Sequence, residues 1–136
     1  MTPKLNKMNA LFRDERLWVA IKERIRFRIY LPAIKSFNTF MDWYYGVETE
    51  NIVELSELRL SSNIGARYES SPYLHISKIL RSLKIGKKDV FVDMGCGKGR
   101  IMLIAGKYPL KRIIGVDISD ELNSICSSNV QVMFKY

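Results

Sequence analysis

The sequence is poor in the residues that hold metals, form disulfides or cross membranes. Its two cysteines, Cys96 and Cys126, are too few and too far apart to frame a disulfide scaffold or a metal site. A single histidine, His75, is open to a role as a base and equally to a surface or packing role. No apolar run approaches the ~18 residues that a membrane-spanning helix needs. Residues Met1 to Ala10 are polar and no apolar h-region follows them, so the chain carries no secretory signal and the cytoplasm is its default address. Internal repeats and low-complexity tracts are absent. What remains, 47% apolar and 26% charged residues in 136, describes one soluble globular domain of ordinary size.

Charge is unevenly placed. The formal net charge is +8. Met1 to Lys35 holds nine Lys/Arg and three Asp/Glu, a net +6, and the remaining residues contribute +2. Within this segment Leu17, Ile21, Ile25 and Ile29 recur at i+4 with Trp18 beside them, opposite Arg13, Arg16, Lys22, Arg24 and Arg26. That stripe predicts an amphipathic helix, which Pro32 is expected to end or kink. The subsegment RIRFRIY also alternates with period two, so a strand competes locally. Three roles are open for such a helix: packing on the core with its charges solvated, lying on an anionic membrane surface, or following nucleic acid.

The stretch VFVDMGCGKGR, Val90 to Arg100, organises the rest. Val90, Phe91 and Val92 make a short apolar strand of the buried parallel kind, and Asp93 stands at its end. Gly95, Gly97 and Gly99 follow at alternate positions and let the backbone turn tightly and approach a ligand. Cys96 lies inside this turn, read as a small residue that fits rather than a nucleophile. Ile101 to Ala105 then resumes as a helix. RIIGVDI, Arg112 to Ile118, is a second strand ending in Asp117, 18 residues after Gly99, where a carboxylate can accept hydrogen bonds from both hydroxyls of a ribose. A dinucleotide motif reads G-x-G-x-x-G, so G-x-G-x-G is an imperfect match to it.

The flanks add elements. Ser70 or Ser71 can cap a helix with Pro72 at its first position, burying Ile76, Ile79, Leu80 and Leu83 and ending at Gly86. Ser119 can cap another, with Asp120 and Glu121 in its first turn, running to about Ser127. VQVMFKY, Val130 to Tyr136, reads as a third strand.

The D-x-G-x-G-x-G motif with its second strand and Asp117 resembles the first motifs of class I S-adenosylmethionine-dependent methyltransferases. The string DWYYGVET, and the loop ARYESSP from Ala66 to Pro72, resemble a bacterial group of these enzymes with a DWxYGVxT-type N-terminal extension. A looser likeness, through the G-K-G-R ending, is to the non-SET lysine methyltransferases. The resemblance implies an α/β fold: a basic amphipathic helical extension over residues 1–45, then over 46–136 the N-terminal half of a Rossmann-like cofactor-binding domain with about three strands. It implies S-adenosyl-L-methionine as cofactor, held by Asp93, Gly95, Cys96, Gly97, Gly99 and Asp117. Asp93 would hold the methionine ammonium, and Asp117 the ribose. Tyr68, with Glu69, would cover the ligand or else only fix its loop. Lys98 and Arg100 look like family residues but are equally readable as solvated charges at a helix start.

Such enzymes are expected to have seven strands, and the 47 residues from Val90 hold about three. The chain therefore looks C-terminally truncated, no catalytic residue is assigned, and an exposed sheet edge is expected to drive self-association. A methyltransferase, a silent cofactor-binding remnant and a different nucleotide-binding or interaction module all stay open. The acceptor is equally open among protein, nucleic acid, lipid and small molecule.

Overall fold

The computed structural model describes residues 15–58 and 67–134, with backbone only at residues 16 and 17. The side chains of Leu17 and Arg16, Arg13 and the start of the ARYESSP loop at Ala66 therefore lie outside the described residues. The chain divides into two units between Ser36 and Phe37.

Helix α1, Glu15–Ile25, passes into a π-helical turn, Arg26–Tyr30, and then into α2, Leu31–Tyr45, within which the boundary between the units falls. Residues 26–30 are helical, so the period-two reading of RIRFRIY as a strand does not hold. Nor does Pro32 stop the helix. Proline has no N–H and its ring crowds the carbonyl four residues back. Here the wider turn comes just before it, with the Leu31 N–H bonded to the Arg26 carbonyl, i to i−5.

The second unit is a mixed α/β arrangement. Its helices and strands follow as α3 (Tyr73–Ser82), β1 (Val90–Met94), α4 (Arg100–Ala105), β2 (Arg112–Val116) and α5 (Asp120–Met133). Strands β1 and β2 pair in parallel with Val90 opposite Arg112 and Met94 opposite Val116. Helix α4 lies between them in sequence, and the parallel register puts Asp93 and Asp117 at the same end of the sheet. A tight turn leads into β1, where the Gly86 N–H donates to Asp89 Oδ2 at 2.7 Å.

The core is Tyr73, Leu80, Ile104 and Ala105, with Phe37, Met41, Ile76, Phe91 and Ile113 packed on it. Helix α3 thus buries Tyr73, Ile76 and Leu80, spaced i, i+3, i+7, and leaves Ile79 and Leu83 exposed, contrary to expectation. Its N-cap is Pro72 itself, and neither Ser70 nor Ser71 caps it.

Two expectations about strands need correction. The sheet described has two strands, and Val130–Met133 continues α5 instead of forming a third. Leu122, Cys126 and Val130 follow at i+4 and turn inward together, so the period-two pattern of VQV is overridden by a longer helical stripe. Strand β1 is also not buried on both faces. Phe91 and Asp93 face the core, while Val90, Val92 and Met94 are exposed, Met94 at 76%. Among the described residues β1 pairs only with β2, which leaves one edge and one apolar face open. No helix among the described residues is long and apolar enough to cross a membrane.

An apolar face beside an unpaired edge favours strand addition. The chain is expected to sediment as concentration-dependent oligomers, and Val92→Lys to shift it toward monomer at unchanged helix content. Monomeric wild type at high concentration in sedimentation velocity would refute this.

Candidate functional site

The glycine turn is held by its neighbours as much as by its own sequence. Gly95, Gly97 and Gly99 take φ of 80°, 52° and 89°, which disfavours side chains at all three. The backbone N–H groups of Gly95 and Cys96 donate to the Val116 carbonyl at 2.7 and 3.0 Å, tying the turn to the end of β2. At Gly97 a side chain would run into the Tyr68 ring, whereas at Gly95 it would meet open space. The open side of the turn is therefore at Gly95, next to Asp93.

Asp93 is 8% exposed, and its Oδ2 has no hydrogen-bond partner among the described residues. Burial, and secondarily the charge of Asp117, raise its pKa above the ordinary 3.8. A buried carboxylate oxygen without a donor is costly unless something supplies one. Asp117 is differently placed. Its Oδ2 accepts from the Gly97 N–H at 2.8 Å and its Oδ1 from the Ser119 N–H at 3.0 Å. Each carboxylate oxygen has two lone pairs, so both keep room for another donor. Ser119 in turn caps α5, its hydroxyl accepting from the Leu122 N–H at 3.2 Å, as expected for a cap stabilising by about 1 kcal/mol.

Cys96 points inward. Its Sγ lies 3.8 Å from Asn123 Oδ1 and against the backbone of Gly115, and burial pushes the thiol up to about 12. It packs the turn as a neutral thiol. Tyr68 covers the turn from the other side, its hydroxyl donating to the Thr49 carbonyl at 2.8 Å and its backbone bridging Val53 in antiparallel fashion. Burial raises its pKa, so it stays a neutral phenol. Tyr68, Glu69, Ser70 and Ser71 line one recess with Gly95, Cys96, Arg100 and Ile101. The recess encloses about 50 Å³, well short of the ~300 Å³ that would wrap a drug-sized ligand. A larger cavity of about 300 Å³ lies elsewhere, against Met102, Ile113, Val130 and Phe134, and no residue of the glycine turn lines it. His75 is exposed on α3 and lines neither.

The residues that the sequence concealed lie behind the turn. Lys98 and Arg100, which flank Gly99, are each 2% exposed instead of solvated. The segment after α2 supplies their counter-charges. Lys98 Nζ meets Glu48 Oε1 at 2.7 Å. Arg100 donates through Nε to Thr49 Oγ1 at 2.6 Å and through an Nη to Glu50 Oε2 at 2.7 Å, with Asp42 Oδ1 at 3.5 Å. Its guanidinium lies 4.5 Å from the centre of the Tyr73 ring. Asp42 also accepts from the Thr49 and Tyr73 hydroxyls at 2.7 and 2.8 Å. Asn129 of α5 completes the frame, donating to the Lys98 carbonyl at 2.9 Å and the Glu48 carbonyl at 3.1 Å. The available signal was complementarity: three acids in DWYYGVETE against two bases in GKGR. Asn129 had no signal of its own.

A strand, a glycine turn, a helix and a second strand followed by an acid make up the candidate site. The chain belongs to the family described as histone methylation protein DOT1, whose model matches residues 66–136. It is similar to a protein-lysine N-methyltransferase of Saccharolobus islandicus, 32% identical over 65 residues, which cover 47% of this chain and 40% of that protein. An H3 lysine-79-specific histone-lysine N-methyltransferase of Drosophila melanogaster is 35% identical over 54 residues, 39% of this chain and 3% of its own length. An rRNA N(6)-adenosine-methyltransferase of Caenorhabditis elegans is 47% identical over 47 residues, 34% of this chain and 21% of its own. The chain thus spans less than half the length of each of these relatives. No solved structure matches it.

Two stability measurements follow. Arg100→Met leaves Asp42 and Glu50 without their buried cation and is expected to cost about 3–5 kcal/mol in denaturant unfolding. A loss below 1 kcal/mol would show the network to be dispensable. For Asp93 the sign runs the other way. Between pH 3.8 and its raised native pKa, the folded chain holds the proton and the unfolded chain has released it, so stability falls as pH rises through that window. Asp93→Asn is therefore expected to melt at or above wild type at neutral pH, with the gap closing toward pH ~4.

Proposed function

We propose that this chain is the cofactor-binding part of a class I, Rossmann-like, S-adenosylmethionine-dependent N-methyltransferase. The observation that carries this reading is Asp93 Oδ2, a buried acceptor without a partner, beside the open side of the glycine turn at Gly95. An α-ammonium donor satisfies that oxygen and offsets its charge, so the residues present fit the methionine end of S-adenosylmethionine. When bound, the cofactor supplies a methyl group already activated on a sulfonium.

The chain's own residues then bind and orient. Asp93 holds the ammonium. Gly95, Gly97 and Gly99 let the backbone lie against the ligand, with Cys96 filling the turn from beneath. Asp117, positioned by the Gly97 and Ser119 amides, accepts from the ribose hydroxyls. Tyr68 and Glu69 cover the methionine end and exclude water from it. Because the methyl donor is pre-activated, alignment and desolvation account for most of the rate such a site can contribute.

The names of the relatives support a nitrogen acceptor. Two are named for lysine and one for N6 of adenosine, so all three names place the methyl on nitrogen. A lysine amine of a protein is the acceptor that two of these names and the family's histone description support.

Calorimetric titration of the chain with S-adenosylmethionine and S-adenosylhomocysteine tests the cofactor site. Saturable binding is expected, weakened tenfold or more (~1.4 kcal/mol) by Asp93→Asn and by Asp117→Asn. NAD is expected not to compete. A folded chain that binds neither sulfur ligand, or that binds NAD as well, overturns the assignment.

A further inference from the structure

The first unit presents a surface that the cofactor site does not use. Between residues 15 and 36 no described side chain is buried. Trp18, Ile21, Ile25, Phe27, Ile29 and Tyr30 are exposed there, Phe27 and Ile29 at 64% and 65%. The same helix carries Lys22, Arg24, Arg26, Arg28 and Lys35 against Glu15 and Glu23. An ion pair within it, Arg26 with Glu23 at 3.7 Å, is exposed and i, i+3, and the bases outnumber the acids, so the segment stays net positive.

A helix this rich in isoleucine gains little from intrinsic propensity. Helices in proteins are stabilised chiefly by packing an apolar face, and an unpacked one calls for a surface. The π-helical turn sharpens the face. Successive i+4 positions drift around a helix of 3.6 residues per turn, and a wider turn reverses that drift, holding Ile29 nearer the line of Ile21 and Ile25.

We infer that the helix over residues 15–36 lies on an anionic lipid bilayer, with Trp18, Ile21, Ile25 and Ile29 in the acyl boundary and its Lys and Arg side chains at the headgroups. Charge complementarity selects the negative surface. The apolar content selects lipid over nucleic acid: phosphates pair with the bases, but Ile21, Ile25 and Ile29 find no apolar phase along a phosphate backbone. The basic charge opposes a second copy of the same helix. Flat insertion is required, because the helix is not apolar enough to cross. This inference does not depend on methyl transfer.

Trp18 is the reporter. The chain has two tryptophans, so Trp43→Phe makes Trp18 the sole emitter. This chain is titrated with vesicles of phosphatidylglycerol and phosphatidylcholine, with vesicles of phosphatidylcholine alone, and with a structured RNA fragment. The expected result is a blue shift and co-sedimentation with the anionic vesicles, at least tenfold weaker on neutral ones, weakened by salt. Ile25→Glu with Ile29→Glu is expected to abolish the shift, and Arg24→Glu with Arg28→Glu to remove the preference for anionic lipid. No shift with either vesicle, equal affinity for both, or saturable binding to RNA without binding to vesicles overturns the inference. The comparison of the two vesicle types stands even if a variant fails to fold.

Discussion

Arg100 is the residue on which the rest of the second unit depends. A guanidinium that is 2% exposed is tolerable only when its donors are matched, and here Thr49, Glu50, Asp42 and the Ser71 carbonyl match them. Those partners come from three separate stretches: the end of α2, the segment after it, and the loop before α3. One side chain therefore ties three segments to the start of α4. Since Arg100 follows Gly99 directly, the same contacts fix where the glycine turn begins.

Lys98 repeats the arrangement on the other side of Gly99. Its pairing with Glu48 lowers the pKa of that carboxyl, chiefly through the hydrogen bond from the ammonium. Asn129 then joins Glu48 and Lys98 through their backbone, so α5 is anchored to the same frame. The turn is thus clamped from behind by charge, while it stays open at Gly95. The unpartnered Asp93 Oδ2 stands on that open side. A site built this way keeps its unfavourable group where a ligand can relieve it and spends its matched groups on rigidity.

The second unit and the helix before it obey different rules. In the former, apolar side chains of α2, α3 and α4 meet in a core under β1 and β2. In the latter, apolar and cationic side chains share an exposed surface. Most of the net charge, +6 of +8, lies in residues 1–35.

Much of this was legible in the residues alone. The glycine turn, the two strands and the Ser119 cap follow from local chemistry: β-branched runs, positive φ and a hydroxyl beside a free N–H act within a few residues. The bland reading of Cys96 holds for the same reason, because a small apolar thiol suits a crowded turn. Period alone did not decide VQV, which fits a strand over three residues and a helix over nine; packing of Leu122, Cys126 and Val130 decided it. Nor could spacing reveal that Lys98 and Arg100 are buried, because their partners lie 50 or more positions away. Sequence by itself determined the cradle and its charge types. Only the tertiary structure decided which charges are paired and which carboxylate is left without a donor, since burial and pairing are properties of segments brought together.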